Sequence, residues 1–175
     1  MTTSGTPAAD WPMIHRARAA LAQDLAGLTP GQWRQATLCS AWDVEHVVAH
    51  LTAAATTTRW AWLRSIAAAR FRPDVHNDRS LQSHLGDSPA ETLAQFRGAV
   101  DSTTAPTGDL AAWLGEVVVH GEDVRRPLGL PDRSEPEALA AVAAFYASRD
   151  FAVNSATAVK GLRLVSTDGP FTAGE

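Results

Sequence analysis

The sequence predicts an all-α fold: a bundle of four helices, an extra C-terminal helix and a short β-hairpin-like tail. Three observations predict it. Apolar residues recur at three- and four-residue steps in five separate stretches, the spacing that lines one helix face. Helix-start residues stand at the head of most of these stretches. Thirty-three alanines among 175 residues favour helix over strand.

The elements follow in order. Ile14, Ala17, Leu21, Leu25 and Leu28 make the stripe of a first helix, stopped by Thr29-Pro30-Gly31. Residues 32–41 have no clean period and read as an ordered connection carrying Trp33 and Cys39. A second helix starts near Asp43, capped by Ser40 or Asp43. Val44, Val47, Val48, Leu51, Ala55, Trp62 and Ile66 mark its buried face as far as about Phe71. Such a rod is about 40 Å long at 1.5 Å per residue, and the weak helix formers Thr56-Thr57-Thr58 are the place for a bend.

Residues 72–87 are polar and read as a long loop, a feature often used functionally in a compact domain. In Ser88-Pro89-Ala90-Glu91, a cap, a first-turn proline and a capping-box glutamate open the third helix. Leu93, Phe96, Ala99 and Val100 give it a face, and Pro106-Thr107-Gly108 ends it. Asp109 opens a fourth helix with Leu110, Trp113, Leu114, Val117, Val118 and Val124 inside. Arg125 and Arg126 lie in its last turn, and Pro127 stops it. Ser134-Glu135-Pro136-Glu137 is a further capping box, heading a fifth helix with Leu139, Val142 and Phe145 inside. Leu162, Leu164 and Phe171 flank Ser166-Thr167-Asp168-Gly169-Pro170, which reads as strand, turn, strand. The expected divisions are a disordered terminus over 1–10, a helical bundle over 11–155 and a tail over 156–175.

Composition removes several function classes. Lys and Arg total 15 against 19 Asp and Glu, a net charge of −4, which opposes nucleic-acid binding through a basic face. The one cysteine, Cys39, permits neither an intramolecular disulfide nor a Cys-based zinc finger. No apolar run approaches the roughly 20 residues of a membrane span, and Met1 to Ala9 lacks a secretory layout. The expectation is a soluble, cytoplasmic globular protein, with a homodimer left open.

The chemistry-bearing residues lie on the second and fourth helices. Glu116 and His120 are four apart and share one face, on a flank of the apolar stripe. His50 falls on the corresponding flank of the second helix. Two neighbouring helices can therefore aim His50, Glu116 and His120 into one pocket. Two imidazoles and a carboxylate suit zinc or another divalent transition metal, and three protein ligands leave one position open for water or substrate. The same spacing also occurs in solvated pairs that hold no metal.

Two stretches carry a resemblance. Thr37-Leu38-Cys39-Ser40-Ala41-Trp42-Asp43-Val44, running into Val47-Val48-Ala49-His50-Leu51, is similar to a motif of the mycothiol-dependent maleylpyruvate isomerase family. So is Gly115-Glu116-Val117-Val118-Val119-His120-Gly121-Glu122-Asp123-Val124-Arg125-Arg126-Pro127-Leu128-Gly129. The resemblance covers about residues 14–150 and implies a DinB-like four-helix bundle. It also implies a divalent metal, typically zinc, held by His50, Glu116 and His120. The chemistry it implies uses the low-molecular-weight thiol mycothiol near the metal, adding to a small-molecule electrophile as an isomerase or S-transferase. The alternative is a DinB-like module that binds metal or a ligand without catalysis. One lysine against fourteen arginines agrees with a GC-rich, actinobacterial source. Relatives often continue into an α/β domain resembling sterol carrier proteins, and residues 156–175 read as the start of one.

Asp123, about one turn past His120, is the expected hydrogen-bond partner of a ligand imidazole. His46, where relatives carry an acidic residue, reads as exposed or as a second such partner. Arg125 and Arg126 are weak candidates for clamping an anionic substrate or the thiol cofactor, against a plain role at a helix C-terminus. Cys39 reads as a small packed residue in preference to a reactive thiol. Trp42, Trp60, Trp62 and Trp113 read as core and interface, with one or two lining the pocket. His76 and His84 read as solvated.

Overall fold

A computed structural model of the chain describes residues 8–69, 72, 79–151, 153–167, 169 and 171–174. Expectations for His76, for the first seven residues and for the second helix's end at Phe71 lie outside these. Helix α1 (Trp11–Leu25) is capped by Asp10, whose side chain accepts from the Met13 amide, and a first-turn proline costs it no hydrogen bond. A short helix α2 (Pro30–Trp33) follows, closed by a capping box between Thr29 and Gln32. Helix α1 ends at Leu25, before the tripeptide Thr29-Pro30-Gly31 expected to stop it; that tripeptide instead starts α2, which buries Trp33.

The second rod is broken in two. Helix α3 (Val44–Thr56) begins at Asp43, which accepts from the His46 amide. It ends where Thr57 turns extended, and Thr58 caps a new helix, α4 (Arg59–Ala68), through the Ala61 amide. The threonine run has become a C-cap and an N-cap in place of a bend. None of the residues of α4 is buried, so Trp62 and Ile66 do not continue the core stripe.

Helix α5 (Pro89–Gly98) starts as expected, with Ser88 accepting from the Glu91 amide. The Glu91 carboxylate reaches one residue further back than a capping box requires, to the Asp87 amide. Helix α6 (Leu110–Leu128) is not stopped by Pro127, which sits in its last turn. Gly129, in the left-handed region at φ 66°, closes it. Because Pro127 has no N–H, the Asp123 carbonyl has no helical donor and accepts instead from the Leu38 amide at 3.2 Å. Helix α7 (Pro136–Ser148) lacks the expected capping box. Glu135 holds the cap position, and its carboxylate is engaged by Arg16 at 2.8 Å. A short helix α8 (Ser155–Ala158) leads to strands β1 (Leu164–Val165) and β2 (Thr172–Ala173), which pair antiparallel.

Helices α1, α3, α5 and α6 form a four-helix bundle, and α7 packs on α6 as the extra helix. Ile14, Leu21 and Leu25 meet Val44, Val47 and Val48, Phe96, and Leu114 and Val124 in one fully buried core. Ser166, Gly169 and Phe171 of the hairpin share a cavity with Leu139, Ala140 and Ala143 of α7.

Candidate metal centre

Helices α3 and α6 lie side by side, and the flanks predicted to carry ligands face each other. His50 follows the fully buried Ala49 on α3, so its ring leaves the core at the rim of the stripe. Its Nε2 lies 3.1 Å from Glu116 Oε2 on α6. One turn on, His120 Nε2 lies 3.6 Å from the same oxygen. The two imidazoles meet edge to face, with centroids 5.1 Å apart. Ligand atoms 2.0–2.1 Å from a tetrahedral ion sit about 3.3 Å from one another. The donor set and its spacing therefore fit a divalent transition metal with little movement.

Charge and burial set the protonation of the metal-free cluster. Burial pushes the Glu116 carboxyl up, but hydrogen bonds from His120 and His50 and their positive field outweigh it, bringing its pKa down to about 2. Burial lowers the His120 imidazole. Its hydrogen bonds to Asp123, Cys39 and Glu116, together with the Glu116 charge, prevail and push its pKa up to about 11.

Around these three side chains stands an outer layer. Asp123 Oδ2 accepts from His120 Nδ1 at 3.0 Å, which turns Nε2 toward Glu116. Burial alone would raise the Asp123 carboxyl, but hydrogen bonds with His120 and Cys39 hold it below the usual carboxylate range. Trp42 packs its ring against His50, with centroids 4.9 Å apart, and lies 6.2 Å from His120.

Cys39 is not simply a packed small residue. Its thiol donates to Asp123 Oδ2 at 3.1 Å, and Sγ lies 3.4 Å from His120 Nδ1. His120 thus presents one ring nitrogen to Glu116 and the other to Cys39 and Asp123, a second group with metal-ligating donors. The loop carrying Cys39 is knotted by Thr37, whose hydroxyl donates to the Trp42 carbonyl and accepts from the Cys39 amide. The bond from the Leu38 amide to the Asp123 carbonyl ties this loop to α6. No sequence pattern links Cys39 to His120, 81 residues away.

Other expected participants lie elsewhere. His46 Nδ1 pairs with Asp43 at 2.6 Å, beside its own helix cap. Arg125 is buried and held by Asp24 at 2.8 Å, with Glu122 beside it, while Arg126 is exposed and pairs with the same Glu122. Neither arginine lines the cavity above the cluster. His84 is half-buried, bonded to the Thr56 hydroxyl and the Ser80 carbonyl. Trp60 is 80 % exposed, against the core role expected of it.

His50, Glu116 and His120 form part of the wall of a cavity of about 390 Å³. Trp42, Trp62, Trp113 and Phe151 supply its aromatic faces. The chain matches the family model of the mycothiol maleylpyruvate isomerase N-terminal domain over residues 14–125. The chain belongs to this family. The matched mycothiol maleylpyruvate isomerase span runs from within α1 into the last turn of α6. It contains the first motif, the second as far as Arg125, and the whole cluster of His50, Glu116 and His120. The four-helix bundle is accordingly the DinB-like domain of the family. No curated protein and no solved structure matches the chain.

Proposed function

We propose that the chain is a divalent-metal protein of the mycothiol-dependent isomerase or S-transferase type, acting in the cytoplasm on a small electrophile. His50, Glu116 and His120 are the residues that would hold the ion, with zinc the best match to two nitrogens and one oxygen. The observation that carries this reading is the meeting of three donors from two helices at the wall of an aromatic cavity. A divalent cation held there would acidify a thiol and polarise a carbonyl.

The chain's own side chains have separate tasks. Asp123 fixes the orientation of the His120 ring, and Trp42 holds the His50 ring from the side. The cavity's aromatic faces keep water away from a bound reactant. The external thiol provides the nucleophile, so none of the cavity side chains has to.

Metal analysis of protein purified without an affinity tag tests the reading. About one divalent ion per chain is expected, falling below a tenth in His50→Ala and in Glu116→Ala. Protein that stays metal-free after zinc addition and dialysis overturns it. The non-catalytic reading draws on a different observation: among the described residues lining the cavity, the titratable ones are the three proposed ligands themselves. Zinc-loaded protein incubated with mycothiol and a panel of electrophiles separates the two, because any metal-dependent thiol conjugate or isomerised product removes it.

A further inference from the structure

The His120 ring faces two ways. Its Nε2 belongs to the cluster with Glu116 and His50, while its Nδ1 meets a second set of donors that the proposed reaction does not use. Asp123 Oδ2 lies 3.0 Å from Nδ1, Cys39 Sγ lies 3.4 Å from it, and these two partners are themselves 3.1 Å apart. A tetrahedral ion bonded at about 2.1 Å to nitrogen and oxygen, and at about 2.3 Å to sulfur, holds such donors about 3.4–3.6 Å apart. The three atoms would have to part by about 0.5 Å or less to admit one.

These donors come from separate segments that are fastened together. Thr37 accepts from the Cys39 amide, and the Leu38 amide donates to the Asp123 carbonyl, so the loop holding the thiol is tied to the turn of α6 holding the carboxylate. Cys39, His120 and Asp123 are each only partly buried, which leaves an ion a way in from solvent. Cys39 and Asp123 do not line the aromatic cavity. Thiolate, carboxylate and neutral imidazole together neutralise a divalent ion. Binding sends the thiol and Nδ1 protons to solvent and ends both hydrogen bonds to Asp123. A cation that gains strongly from sulfur repays that loss, so the set favours a soft ion over zinc.

We propose that Cys39, His120 and Asp123 form a second cation site, selective for a soft divalent ion of the cadmium class. It stands back to back with the cluster of His50, Glu116 and His120, across one shared imidazole. It does not depend on the thiol-transfer reading, because neither Cys39 nor Asp123 is a ligand of that cluster.

Titration of the metal-free full chain with cadmium chloride tests this through the ultraviolet charge-transfer band of a cadmium thiolate. Cys39 is the one cysteine of the chain, so the band reports this thiol alone. It should saturate at about one ion per chain and weaken about tenfold or more in Asp123→Asn. In Glu116→Ala, which loses a ligand of the other cluster, the band should persist and equimolar zinc should leave it in place. X-ray absorption at the cadmium edge of the unmodified chain should show one sulfur together with an imidazole. The absence of a band, full affinity in Asp123→Asn, a cadmium shell without imidazole, or loss of the band to zinc in Glu116→Ala overturns the proposal. A chain that takes up no zinc, yet shows the band weakened in Asp123→Asn, overturns the proposed function and leaves this inference standing.

Discussion

Asp123 illustrates how much one side chain outside the proposed ligand set controls. Its carboxylate accepts from His120 Nδ1 and from the Cys39 thiol, so it sets the ring's tautomer and keeps the imidazole electron-rich. Asp123→Asn is expected to weaken zinc affinity about 10- to 100-fold while the fold persists. Competition against a chromophoric chelator measures this, and unchanged affinity would remove Asp123 from the design. The residue was legible because it lies within one turn of His120, where helical spacing alone brings side chains together. Cys39 was not, since only the docking of a loop onto α6 puts its thiol there. Arg125 stands in the last turn of α6 as expected, but its partner was not legible. The last turn of a helix is a sound place for a cation, but nothing local reveals that Asp24, 101 residues away, buries with it.

At the scale of elements, periodicity located every helix of the bundle and misjudged where each ends: α1 stops at Leu25 and α5 at Gly98, short of the breakers expected at Thr29 and Pro106, and α3 and α6 depart too. Trp62 and Ile66 continue the three- and four-residue spacing of α3, so hydrophobic pattern alone cannot detect the break at Thr57. Trp62 is apolar to line a cavity, not to fill the core. Pro127 looked like a stop, yet its missing N–H costs α6 one hydrogen bond whose acceptor is satisfied by Leu38. The ending belongs to Gly129, where no neighbour crowds the position and only backbone conformation demands glycine. Gly129→Ala should therefore cost about 1–2 kcal/mol, the penalty for a side chain in the left-handed region. Urea unfolding would read this as a lower midpoint with an unchanged slope.

For the whole molecule, the cluster links stability to pH and, on the proposed function, to metal. The Glu116 pKa falls from 4.5 to about 2 on folding, so its contribution is complete above 4.5 and is lost as pH falls through 2. That of His120 rises from 6.5 to about 11, so its contribution is complete below 6.5 and is lost as pH rises through 11. In the metal-free protein both are fully present between 4.5 and 6.5. A cation has to expel the His120 proton, which becomes easier as pH rises. Equimolar zinc should therefore raise Tm more at pH 8 than at pH 6, measured by calorimetry, and equal rises would mean that no proton is displaced. Among the described residues, no helix is long and apolar enough to cross a membrane. His50 and Glu116 are 66 residues apart, on helices that meet only through the bundle. A collapsing chain offers an ion only two of the three donors, Glu116 and His120 on α6, until α3 brings His50 against them. In stopped-flow chevrons zinc should then slow the unfolding arm and leave the refolding arm where it was, so the ion would act as a latch on a finished structure and not as a seed for it.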